Sequence, residues 1–123
     1  LLINENGKLT AQKLPIQAQI SPIKNSLVDD FNNDGFKDIL LVGNHYGVEV
    51  ETVRYDAGYG SLFIGDGKNK FKFLPPTSSG FYIPTDSRAI SSIKTINNSK
   101  IYLVTNNNDS IALFKNNMEL MSN

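Results

Sequence analysis

Apolar residues along this chain come in short runs divided by Asn, Asp, Gly and Pro, and nowhere do they recur with the three-to-four spacing of a helix of useful length. The pattern predicts strands over Leu1–Asn4, Lys8–Leu14, Ser26–Asp30, Ile39–Val42, Ser61–Ile64, Phe71–Leu74, Ile90–Thr95, Ile101–Thr105 and Ser110–Lys115, with Met118–Met121 as a weak last one. Ile39-Leu40-Leu41-Val42, a short apolar run ending at Gly43-Asn44, reads as a buried strand rather than a helix. Alternation over Val48–Val53 reads as a strand extension. Many short strands with Gly, Asn and Asp turns indicate an all-β sandwich, barrel or propeller.

Self-similarity narrows the choice. Leu62 to Phe71 is strand, tight glycine turn, strand, and Leu2 to Leu9 has the same shape; both run into proline, at Pro15 and at Pro75-Pro76. Ala112 to Asn117 begins a third copy. Val28 to Asn44 can be laid over Ser92 to Asn107, with Ile101–Val104 taking the place of Ile39–Val42. A four-strand unit repeating at roughly 50 to 60 residues favours antiparallel four-stranded blades of a propeller. On that division residues 1–15 are the outer hairpin of a preceding blade, 16–76 a complete blade and 77–123 a degenerate final one. Leu1-Leu2-Ile3 looks like a chain entering in mid-strand, so a piece of a longer protein is expected. Its open blade edges would favour self-association, by pairing with or exchanging the N-terminal hairpin.

The segment between the predicted strands at 26–30 and 39–42 reads DFNNDGFKD. Side-chain oxygens fall at its positions 1, 3, 5 and 9 (Asp30, Asn32, Asp34, Asp38), Gly35 at position 6 permits a sharp turn, and the Phe36 carbonyl at position 7 needs no side chain. A hard cation takes about six to eight oxygens at roughly 2.3–2.6 Å, and this spacing meets that demand for Ca2+. An EF-hand would place a bidentate Glu at position 12, where Leu41 stands, and would flank the loop with helices. The same leucine argues against dockerin-like and thrombospondin-type loops. A plain polar turn is the alternative, but three carboxylates within nine residues, with Asp29 beside them, repel one another unless a cation or water intervenes. The second copy has lost its acids, so Ile96-Asn97-Asn98-Ser99 should be an ordinary turn without metal.

The DxNxDGxxD loop between two strands, followed by LFIGDGKNKF, resembles the FG-GAP and VCBS repeat family, whose blades carry such a loop between their first two strands. The succession GNHYGVEVETVRYDAGYG, LFIGDGKNKF, PPTSSGFYIPTD and VTNNNDSIALFK is similar to the last blades of large VCBS-repeat proteins of Bacteroidetes-type bacteria. The resemblance implies a β-propeller, calcium at Asp30, Asn32, Asp34, the Phe36 carbonyl and Asp38, and an extracytoplasmic setting. It implies no reaction, because members serve as adhesion, ligand-binding and scaffold domains.

Composition changes the picture in two places. Twelve basic residues balance twelve acidic ones, so there is no field to draw in nucleic acid or an anionic membrane, and no apolar stretch is long enough to span a bilayer. Cysteine is absent and His45 is the single histidine, which removes thiol chemistry and multi-histidine metal sites from the 123 residues. The long connection from Asn44 to Gly60 holds His45, Tyr46, Arg54, Tyr55, Asp56 and Tyr59. Blade geometry sends it to the rim opposite the acidic loop, where a protein or glycan ligand is expected; pairing of Arg54 with Asp56 is the plainer reading. A non-catalytic calcium-stabilised binding module is the leading expectation. The alternative is part of a calcium-dependent polysaccharide-active enzyme built on the same rim residues, with no acid and base pair at a convincing spacing to support it.

Overall fold

The computed structural model describes residues 1–116; the weak strand expected at Met118–Met121 lies outside them. The fold is all-β. Its strands are β1 (Leu2–Glu5), β2 (Lys8–Ala11), β3 (Ile23–Asp29), β4 (Asp38–Gly43), β5 (Ser61–Gly65), β6 (Phe71–Leu74), β7 (Ser87–Lys94), β8 (Lys100–Asn106) and β9 (Ala112–Lys115). All pairings are antiparallel and sequential: a hairpin β1-β2, a four-stranded meander β3-β4-β5-β6 and a three-stranded sheet β7-β8-β9. Only single turns of helix interrupt them, at Ile16–Gln19 and Pro76–Ser79. Proline opens each turn, and Gly80 at φ 70° closes the second in the left-handed region.

β4 is the centre of the molecule. Leu40 and Val42 point to one side, into a core with Leu62, Ile90, Tyr102, Val104, Phe31, Phe81 and Ile83 that joins the second and third sheets. Ile39 and Leu41 point to the other, against Phe63, Phe71 and Phe73, and are covered by Leu14 and Ala18 of the segment after the first hairpin. The run expected to be a buried strand is one, and it is used on both faces. Tilted ring pairs Phe31–Tyr102 (5.0 Å) and Phe81–Phe114 (4.6 Å) fix how the sheets sit on each other.

The pairs β3-β4 and β7-β8 share an irregularity. Each has a register shift just after its first residue, at Ile23/Asn25 and at Ser87/Ala89. Beyond each β-strand pair an asparagine amide donates to the carbonyl before the first strand, Asn44 to Pro22 and Asn107 to Asp86, both within 2.9 Å. Matching these marks puts Tyr102 where Ile39 stands, one residue later than laying the two sequences together suggests. The apolar runs alone could not separate the two registers.

One expectation fails. Val48–Val53 is no strand extension: the amide of Thr52 donates to the Glu49 carbonyl in a turn, and Val50 and Val53 are exposed (105% and 84%). Alternation without a partner strand gives nothing to bury against. The first hairpin is paired only with itself among the described residues; it touches the second sheet through the Gln12 side chain, which donates to the Asn69 carbonyl.

Candidate functional site

In a meander the loops at the two ends of β4 lie at opposite ends of the sheet, so the acidic loop and the long connection are separated by the strand itself. The acidic loop is wound on its own amides. Asp30 accepts from the amides of Asp34 (3.2 Å) and Gly35 (2.9 Å), Asp34 accepts from the Phe36 amide (2.8 Å) and from the Asn32 side-chain amide (2.8 Å), and the Asn32 oxygen accepts from Asp34 (3.1 Å). Asn33 at φ 59° and Gly35 at φ 86° make the turns that this winding requires.

Asp38 is the fixed point of the loop. It is fully buried, with one oxygen accepting from the Phe31 amide (2.8 Å) and the other from the Gly65 amide (2.9 Å), so it joins the start of the loop to β5. Burial pushes its carboxyl above the ordinary 3.8, the two amides pull it down, and the charges of Asp34 and Asp30 push it up again. The three carboxylates therefore share a neighbourhood. The glycines of LFIGDG follow from this contact: a Cβ on Gly65 would stand 2.2 Å from the Lys37 carbonyl oxygen, and one on Gly67 2.3 Å from the Phe36 ring.

All the donors the sequence nominated for a cation (Asp30, Asn32, Asp34, the Phe36 carbonyl, Asp38) belong to this one loop and are oxygens, which suits calcium in kind. Among the described residues, no three acidic, histidine or cysteine side chains stand close enough together to hold a metal ion. The carboxylates are engaged by amides, yet each oxygen has a second lone pair to offer.

One residue outward, Asp29 ties this end of the second sheet to the third. Its carboxylate takes the Lys100 ammonium on both oxygens (2.7 and 2.6 Å) and the Tyr102 hydroxyl at 3.3 Å. Burial alone would raise its pKa; the Lys100 hydrogen bond, the Asp30 amide and the ammonium charge hold it below 3.8 instead. The same burial and the Asp29 charge push the Tyr102 phenol up. In the second loop Thr95 and Ser99 close an ordinary turn, hydroxyl to hydroxyl at 2.7 Å.

At the other rim Asn44 is the anchor. It is buried at φ 85°; its side-chain amide donates to the carbonyls of Gly58 (2.7 Å) and Thr85 (3.1 Å), and its oxygen accepts from the Gly58 amide (2.9 Å). His45 and Tyr55 pair backbone to backbone above it. Arg54 does not pair with Asp56; its guanidinium lies 5.2 Å over the Tyr46 ring, and the Tyr46 hydroxyl donates to the Pro84 carbonyl. Burial, then the Asp56 charge, raises the Tyr46 pKa. Tyr59 stacks instead on Tyr82, rings 5.5 Å apart and 14° from parallel. The structure thus brings His45, Tyr46, Arg54, Tyr55 and Asp56 to one loop base and adds Tyr82, Asp86 and Asn107, which sequence reasoning did not single out. Asp86 is buried, bound through one oxygen to Arg88 (2.9 Å) and Asn107 (3.2 Å). Phe81-Tyr82-Ile83 is uniformly apolar and aromatic, so nothing local in the sequence marks Tyr82 as the outward one.

Comparison with protein-family models, with curated proteins and with solved structures finds no match. No helix among the described residues is long and apolar enough to cross a membrane.

Proposed function

We propose that this chain is a non-catalytic, calcium-stabilised propeller repeat module from an exported protein, which carries a binding rim for a protein or glycan. The observation that carries the reading is the acidic loop itself: a DxNxDGxxD spacing set between the first two strands of a four-stranded meander, with its last carboxylate buried and three like charges in mutual range. Propeller stacking is supported by the way the sheets meet. Sheet three presents Tyr102 and Val104 to sheet two, the positions matching Ile39 and Leu41, which sheet two presents to the segment before it. Each unit therefore offers the same face to its predecessor, as blades in a ring do. A loop of this kind, taking calcium at the higher levels found outside cells, suits an extracytoplasmic location.

The test is thermal melting with and without chelator. Ligand that binds only the folded state adds about 2.7 kcal/mol at 100-fold its dissociation constant, so chelation should lower the midpoint and Asp34→Ala should remove that sensitivity. Calorimetric titration should find one intrachain site, since the 96–99 turn has no carboxylate. Identical melts in calcium and in chelator refute the reading.

A further inference from the structure

Tyr59 and Tyr82 come from different segments, and each is fixed by its backbone. The Ile83 amide donates to the Tyr59 carbonyl (2.9 Å). Gly60, at φ 76°, lets the chain turn where a Cβ would strike Phe81 at 2.4 Å. Tyr82 is thrown outward between Phe81 and Ile83, both in the core. About half of each tyrosine stays exposed, 48% and 55%. Their inner faces cover each other, so the exposed area lies elsewhere on each side chain.

Tyrosine suits surfaces where one part of the side chain is covered and the other wet, and aromatic groups held rigidly at a surface are favoured elements of binding sites. We propose that the Tyr59–Tyr82 pair is the stacking platform of a carbohydrate site, taking a neutral polysaccharide whose ring C–H face lies on an outer tyrosine face. This rests on the reading of the chain as a binding module and names its ligand class. The negative π face attracts the polarised C–H bonds of a sugar ring, and mutual stacking has already restricted the ring rotamers, so little ordering cost remains. The hydroxyl ends of the two tyrosines can donate to and accept from sugar hydroxyls. The chain's charge balance, twelve against twelve, supplies no net field for an acidic polymer.

Affinity electrophoresis of the full chain, in calcium, through gels containing soluble xylan, mixed-linkage β-glucan or mannan tests this, with polygalacturonate as the anionic comparison. At least one neutral polymer should retard the protein; Tyr82→Ala should weaken binding about tenfold, and Tyr82→Phe, which keeps the ring, should bind like wild type. The chain has no tryptophan, so tyrosine fluorescence should respond to the same polymer in wild type and not in Tyr82→Ala. Melting curves on each variant separate a lost site from a lost fold, and the calcium dependence of melting reports on the module reading independently. Retardation by polygalacturonate alone, or equal retardation of wild type and Tyr82→Ala, overturns the proposal. So does mobility unchanged by all three neutral polymers.

Discussion

Replacing Asn44 by alanine should be among the most damaging single changes in this chain, although the residue sits at the foot of a surface loop. Its side chain makes three hydrogen bonds, to the Gly58 carbonyl, the Thr85 carbonyl and the Gly58 amide. Alanine leaves all three groups without their partner in a buried setting, at about 1 kcal/mol each, or ~3 kcal/mol. The backbone at φ 85° is tolerated by asparagine but not by alanine, which adds ~1 kcal/mol. For 123 residues the unfolding entropy is about 0.26 kcal/mol/K, taking ~2.1 cal/mol/K per residue. A loss of ~4 kcal/mol therefore lowers the midpoint by ~15 °C. Asn44→Gly separates the two contributions: glycine accepts the positive φ, so it should lose only the ~3 kcal/mol of hydrogen bonding, net of its extra freedom when unfolded. Urea unfolding and thermal melts of both variants in saturating calcium give the numbers. An Asn44→Ala protein within ~1 kcal/mol of wild type would refute the account.

The Asp29–Lys100 bond should contribute about 1–2 kcal/mol, read as the stability difference between wild type and Lys100→Met. Because Asp29 has a folded pKa below 3.8, that contribution is present above pH 3.8 and lost as pH falls through the lower folded value; a difference unchanged down to the acid limit of folding contradicts it. Asp38 behaves in the opposite sense. In chelator its carboxyl should titrate above 3.8, so this group favours the fold most below that pH and less as pH rises through its folded value. Carbon-detected NMR of the aspartate carboxyls checks this, and a midpoint under 3.8 would contradict the dominance of burial.

Much of the architecture was legible because strand periodicity and turn residues are local signals. The runs at 39–42, 61–64, 71–74 and 101–105 each became strands, and the all-β, antiparallel fold followed from them. What stayed hidden depends on distant partners. Val48–Val53 alternates like a strand but meets no neighbour. Asp38 looked like one oxygen donor among several, and only the approach of Phe31 and Gly65 makes it a buried acceptor. Nothing near Lys100 in the chain announces Asp29, 71 residues away, and Asn44 reads as an ordinary turn residue until Gly58 and Thr85 close around it. The one-residue offset between the apolar runs of β4 and β8 has a related origin, since an uninterrupted apolar run carries no mark of which residues face the neighbouring sheet.

That last point has a consequence for how the central strand finds its place. In most sheets a slip by one residue is prohibited because it turns the oily face to water. In β4 both faces are oily, and Ile39 and Leu41 would exchange cores with Leu40 and Val42 at small cost in burial. The burden of alignment then passes to the two polar residues that bracket the run, Asp38 at 0% and Asn44 at 1% exposure. Each is completed by backbone groups that stand in one position only, so a slipped strand would strand an acid at one end and an amide at the other. The polar bookends, rather than the grease between them, encode which way the sheet is threaded.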